Sequence, residues 1–179
     1  STSPNAQIIA SLDVARRQME LEGYELVMRS FEIAFAIRKS VNEHPIISKY
    51  FRVLGADAMV PAEFRNSGFR DYLAPGSTWM TALKAVHDDE FFLDPTRITL
   101  VCGTAGYDGT AFKNLLAASY NIQLNKTSRN SVLLQSNINN TRSDVALLIK
   151  VLLEISQNID ARLAEGGASG RAAFAARVK

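Results

Sequence analysis

The chain has 179 residues, enough to bury a real core in one domain, and its 47% hydrophobic and 21% charged residues are those of a globular protein. A formal net charge of +2, spread along the chain, forms no cationic stripe, so nothing in it points to a nucleic-acid partner. One cysteine, Cys102, excludes an intramolecular disulfide and a multi-cysteine zinc site, and no apolar run approaches the roughly 20 residues that a membrane-spanning helix needs.

Residues 5 to about 39 predict a helix, with Ile8, Leu12, Ala15 and Met19 on one stripe and Tyr24, Val27, Met28, Phe31 and Phe35 on a second. Ser3-Pro4 is a start signal, because proline in a first turn loses no hydrogen bond. Gly23 is expected to interrupt or bend the run. The helix should end before Pro45, since the residue ahead of proline is pushed out of the α region.

Residues 50–54 predict a short strand. Residues 61–75 carry Asn66-Ser67-Gly68 and run into Ala74-Pro75-Gly76, and they read as an irregular excursion. Asp94-Pro95 then precedes a β-branched strand over residues 97–102, which buries the Cys102 thiol. A glycine-rich turn over residues 103–109 leads into a helix from about 110 to 120. Brief strands are expected over residues 122–125 and 131–136. Thr141-Arg142-Ser143-Asp144 has the spacing of a capping box, opening a helix to about residue 163 with Val145, Leu148, Leu152, Ile155 and Ile159 on its core stripe. Residues 165–170 read as a glycine-rich linker and residues 171–179 as a helical stub. The order predicts an α+β fold: a small, mostly antiparallel sheet with helices on one face, preceded by a long N-terminal helix.

Few motifs carry chemistry by themselves. The turn Gly103-Thr104-Ala105-Gly106-Tyr107-Asp108-Gly109 sits between a strand and a helix but lacks the Gly-Lys-Ser/Thr end of a phosphate loop and the dinucleotide fingerprint. Its glycines read as positive-φ turn positions. His44 and His87 have no second ligand at metal-binding spacing, so no metal site is expected. The cluster Asn125-Lys126-Thr127-Ser128-Arg129-Asn130 stands at the mouth of an apolar strand. An arginine there can grip a carboxylate or phosphate with two parallel hydrogen bonds, although a plain surface turn would look the same.

Read together, several blocks resemble the bacterial ornithine/lysine/arginine decarboxylase family, nearest its arginine-decarboxylase-like branch. They are Ser1-Thr2-Ser3-Pro4 followed by residues 8–15; residues 93–100; Asp108-Gly109 with Phe112-Lys113-Asn114; residues 125–130; and Asn140-Thr141-Arg142-Ser143. The resemblance covers residues 1 to about 163. It implies a type I pyridoxal-phosphate fold, with residues 1–45 from the end of the large domain, 46–164 as the small α+β domain, and 165–179 as a linker into a further region. The implied reaction is α-decarboxylation of arginine, lysine or ornithine toward polyamines, with the cofactor ring as electron sink.

The family's Schiff-base lysine directly follows a histidine. Here His44 is followed by Pro45 and His87 by Asp88, so that pair is missing and no catalytic residue is assigned. The resemblance places Ser1, Thr2 and Ser3 near the cofactor phosphate, and Arg129, with Lys126 and Asp108 as weaker candidates, toward the substrate. It implies a cytoplasmic, homo-oligomeric protein, without membrane contact, that pairs with the rest of a decarboxylase chain or a second subunit. A chain opening on Ser1 rather than methionine fits either processing or a start inside a larger protein, and the missing His-Lys pair implies that the chain is inactive and cofactor-free alone. The alternatives are a non-catalytic interaction or regulatory subunit derived from such an enzyme, and an unrelated α+β binding domain.

Overall fold

A computed structural model describes residues 5–178. Helix α1 runs over Ala6–Glu43, and its 38 residues extend for about 57 Å. Asn5 opens it by accepting hydrogen bonds from Gln7 N and Ile8 N. It passes through Gly23 as one helix, correcting the expected interruption; the Met19 side chain lies over that glycine and fills the space a Cβ would take. The end falls where Pro45 predicts, with His44 as the C-cap.

The two halves of α1 lead different lives. Ile8, Ile9, Leu12, Val14, Leu21 and Tyr24 are exposed, whereas Ile33, Ala34, Ile37 and Val41 are buried in the main core. That core is a four-stranded antiparallel sheet with helices on one face. The strands are β1 (Arg52–Val53), β2 (Arg97–Val101), β3 (Lys126–Thr127) and β4 (Ser131–Gln135), in the spatial order β1-β2-β4-β3. Ile98 and Leu100 of β2 and Val132 of β4 join Phe112 and Leu116 of α4 (Gly109–Tyr120) in the core. Leu148, Leu152, Ile155 and Ile159 of α5 (Arg142–Glu165) complete it. At the start of α5, Asp144 Oδ2 accepts from Thr141 N at 2.7 Å, the reach-back half of the capping box.

Between β1 and β2 the chain makes an excursion with a small core of its own, Ala56, Phe69, Ala82 and Ala85. It holds α2 (Ala56–Met59) and α3 (Trp79–Asp88), neither of which the sequence pattern predicts. Aromatic contacts tie it to α1: Trp79 lies 5.6 Å from Phe31 and 5.7 Å from Phe35, centroid to centroid. The strand expected over residues 122–125 is not formed. Asn121 adopts a left-handed conformation (φ 54°) to end α4, Ile122 N turns back to Leu116 O, and pairing begins at Lys126. The expected linker is also replaced. Gly167–Arg177 forms α6, and Phe174 packs edge-on against Tyr50 at 6.1 Å. None of the helices is long and apolar enough to cross a membrane, among the described residues.

One buried side chain joins these parts. Arg38 of α1 is 1% exposed. Its Nη1 donates to Leu54 O at 3.0 Å and its Nη2 to Arg97 O at 2.8 Å and Pro95 O at 3.4 Å. Burial lowers the guanidinium's pKa from its ordinary value, while Asp71, Tyr72 and Asp94 oppose that, and the Tyr72 ring lies 5.9 Å away. Nearby, Asn42 pairs with both backbone groups of Val53, accepting at 2.8 Å and donating at 3.1 Å. The free edge of β1 is thereby closed.

Replacing Arg38 by Met leaves three carbonyls without their donor. The expected loss is about 3 kcal/mol, read from the urea unfolding midpoint, with Arg38→Lys recovering little because an ammonium lacks the planar fork. An unchanged midpoint would contradict the bridging role. A second expectation concerns pH. Asp160 on α5 accepts from the Tyr50 hydroxyl at 2.6 Å and from Lys49 Nζ at 3.2 Å, and these bonds hold its carboxyl below the usual range. A depressed folded pKa contributes stability above the ordinary carboxylate pKa, lost as pH falls through the folded value. Asp160→Asn should therefore flatten part of the acid limb of stability against pH.

Candidate functional site

Two turns meet at one end of the sheet. The first is residues 102–109, after β2; the second is residues 128–131, the hairpin turn between β3 and β4. Cys102 N and Gly103 N both donate to Asn130 O at 2.9 Å, Gly109 N donates to Arg129 O at 3.2 Å, and Ser128 N closes the hairpin on Ser131 O at 2.8 Å. Gly106 uses its freedom at φ 80° to leave a short 3₁₀ turn. Gly109 is needed for a different reason. A Cβ there would stand 2.1 Å from Ser128 O and 2.6 Å from Ser131 O, so only glycine lets the turns touch.

This contact places Asp108 and Arg129 along one cleft of about 620 Å³. Asp108 is the N-cap of α4, its Oδ1 accepting from Ala111 N at 2.8 Å, so part of its hydrogen-bonding capacity is structural. Arg129 is exposed on the hairpin turn. Tyr107 and Arg177 line the same cleft, and neither is a site candidate from the sequence, where Tyr107 is only one member of the glycine-rich turn. Arg177 reaches it because α6 folds back, its Nη2 donating to Gly106 O at 3.2 Å. Cys102, at the base of the turn, is fully buried, and burial pushes its thiol up to about 11, which keeps it protonated and unreactive.

The other predicted residues do not join this group. Lys126 sits on β3 opposite Leu133 and is not among the residues lining the cleft. Ser1, Thr2 and Ser3 lie outside the described residues. Asn125 belongs to the far end of the hairpin, where its Nδ2 donates to Gln135 Oε1 at 2.8 Å. Both line a second cleft of about 530 Å³, floored by Ile33, Leu134 and Leu148.

A pyridoxal-phosphate site needs a lysine held in a desolvated pocket. Lys39, Lys84, Lys126 and Lys150 are exposed, Lys49 is paired with Asp160, and Lys113 is only half-buried. His44 is occupied at the end of α1, its Nδ1 accepting from Ile46 N at 3.2 Å and Ile47 N at 3.4 Å. These residues do not fit the cofactor's covalent anchor. Among the described residues there is also no group of three His, Cys, Asp or Glu placed to hold a metal ion.

Comparison with known proteins gives a consistent set of relatives. The family model described as Orn/Lys/Arg decarboxylase, major domain, matches residues 1–144. An arginine decarboxylase of Bacillus cereus is 24% identical over 168 residues, which is 93% of this chain and 30% of that protein. The arginine decarboxylase of Bacillus anthracis is 23% identical over 156 residues, 87% of this chain and 26% of the relative. Among solved structures, the constitutive lysine decarboxylase of E. coli shares the fold with a TM-score of 0.61 at 22% identity, over 93% of this chain and 24% of that one. The chain thus spans less than a third of the length of each of these relatives.

The stitched turns yield a direct expectation. Gly109→Ala should cost about 2–3 kcal/mol by forcing two backbones apart. Gly76→Ala, strained in φ but with open space around it, should cost less. Calorimetric unfolding of the two variants compares them, and equal losses would remove the close approach as the cause.

Proposed function

Because the chain belongs to the Orn/Lys/Arg decarboxylase family, we propose that it is one part of a pyridoxal-phosphate-dependent decarboxylase of arginine, lysine or ornithine, inactive by itself. The observation that carries this reading is the pairing of a family match over residues 1–144 with the absence of any His-Lys pair in the sequence. In the family the cofactor supplies the electron sink; the protein supplies orientation and charge. This chain's share is then the sheet layer that closes beside a large domain, with Arg129 directed at the substrate carboxylate. Asp108 and Lys126 are secondary: one is committed to capping and the other stands away from the cleft. Ser1, Thr2 and Ser3 are carried forward as contacts to the cofactor phosphate in the assembled enzyme.

The division at residue 45 is one of chain order. Helix α1 enters from the large domain, and its buried C-terminal half is built into the small domain's core. The partner is the remainder of a decarboxylase chain, in a homo-oligomer working in the cytoplasm on a polyamine-related reaction. Support comes from the number of large apolar residues left exposed on α1 and, as Trp79, Met80, Leu83 and Val86, on α3. A regulatory subunit derived from such an enzyme would use the same residues.

The purified chain, incubated with pyridoxal phosphate, is expected to show no Schiff-base absorbance and no lysine labelled on borohydride reduction. It should release no carbon dioxide from arginine, lysine or ornithine. Labelling of Lys39, Lys49, Lys84, Lys113, Lys126, Lys150 or Lys179, or measurable decarboxylation, would overturn the reading.

A further inference from the structure

We propose that Arg129 and Arg177 form a two-guanidinium cleft that binds the oxyanion group of a small molecule, a carboxylate or a phosphate. Arg129 arrives on the hairpin turn, where its own carbonyl is fixed by Gly109 N at 3.2 Å. Arg177 arrives on α6, anchored by the edge-on contact of Phe174 with Tyr50 and by the bond from its Nη2 to Gly106 O. Gly106 makes room for that approach: a Cβ on it would lie 3.3 Å from Phe174 Cε2 and 3.5 Å from Arg177 Nη2.

Arg129 and Arg177 both line the cleft of about 620 Å³, and neither guanidinium makes an ion pair among the described residues. The opposing charge in the cleft is Asp108, whose Oδ1 is engaged by Ala111 N. Two cations against one anion leave the cleft positive, and a planar guanidinium fork matches a carboxylate or phosphate, with Arg177 already using an Nη2 donor on Gly106 O. The same charge repels an amine. A basic amino acid would therefore enter carboxylate first, with its cationic side chain toward solvent. The inference rests on the cleft alone. The decarboxylase reading adds only that the oxyanion is the substrate's carboxylate.

The test is a titration of the whole 179-residue chain followed by amide chemical shifts. Its probes are inorganic phosphate, L-arginine, the decarboxylated amine of arginine, and chloride at matched ionic strength. Saturable shifts confined to the 103–109 and 128–131 turns and the end of α6 are expected with phosphate, L-arginine or both, and not with the amine or chloride. Arg129→Ala and Arg177→Ala should each weaken binding about tenfold or more. Phe174→Ala, which frees α6 while keeping both arginines, should weaken it similarly. Binding of phosphate without L-arginine supports the cleft and counts against a substrate role for Arg129. No saturable shifts with either oxyanion, equal shifts with chloride, or binding unchanged in both arginine variants would overturn the proposal.

Discussion

The fold depends on a charge kept out of water. Arg38 makes its hydrogen bonds to Leu54, Pro95 and Arg97, and these carbonyls flank the two ends of the long excursion between β1 and β2. A single side chain from α1 thus fixes where the excursion leaves the sheet and where it returns. Desolvating a guanidinium is costly, and carbonyl oxygens alone offset it only in part. The Tyr72 ring and the carboxylates of Asp71 and Asp94 supply the rest of the favourable field, and all three belong to the excursion that Arg38 holds. The dependence runs both ways: the excursion neutralises the clamp that positions it. Lysine could not replace it, since one ammonium cannot present two parallel rows of donors.

From that clamp outward, the sheet and its helices follow from patterns visible in the sequence. The stripe Leu148, Leu152, Ile155 and Ile159 is the buried face of α5, and the β-branched run after Asp94-Pro95 is β2. Helix α3 was illegible for a specific reason. Its large apolar residues Met80, Leu83 and Val86 face solvent, while the small Ala82 and Ala85 face inward, so hydrophobic periodicity marks the wrong side. The apolar character of Ile122 and Leu124 suggested a strand, but Leu124 is buried without pairing because α4 has only just ended. The glycines near residue 166 suggested a linker. Phe174 overrides them, because an aromatic contact with Tyr50 and Gly106 holds the segment helical against the sheet layer.

The site was legible in the same uneven way. Arg129 could be singled out because a turn before an apolar strand aims side chains past the sheet end, whereas Asp108 came into view only through the family resemblance of the Asp108-Gly109 block, and its place at the start of α4 emerges from the fold. That the two share a cleft depends on Gly109, whose meaning is purely one of distance between backbones and leaves no trace in composition or period. Lys126, three residues from Arg129, is lost to the cleft because pairing with β4 starts at it, whereas Arg129 lies in the turn where pairing has stopped. Arg177 was out of reach of local patterns altogether, since only the return path of α6 brings it near.

The exposed N-terminal half of α1 has a consequence for the helix–coil balance. From Ala6 to about Gly23 the helix has no core beneath it, and its visible side-chain supports are local: Arg16 with Asp13 and Glu20, and Arg17 with Glu20. Such pairs contribute only tenths of a kcal/mol each, and a solvent-bathed helix of this length is marginal in water. The buried half acts as a permanent nucleus from which helicity propagates backward, weakening turn by turn toward Asn5. The length of ordered helix is therefore a variable set by whatever covers it: a surface laid along Ile8, Leu12 and Met19 would wind the coil up as it bound, and its departure would let it unwind.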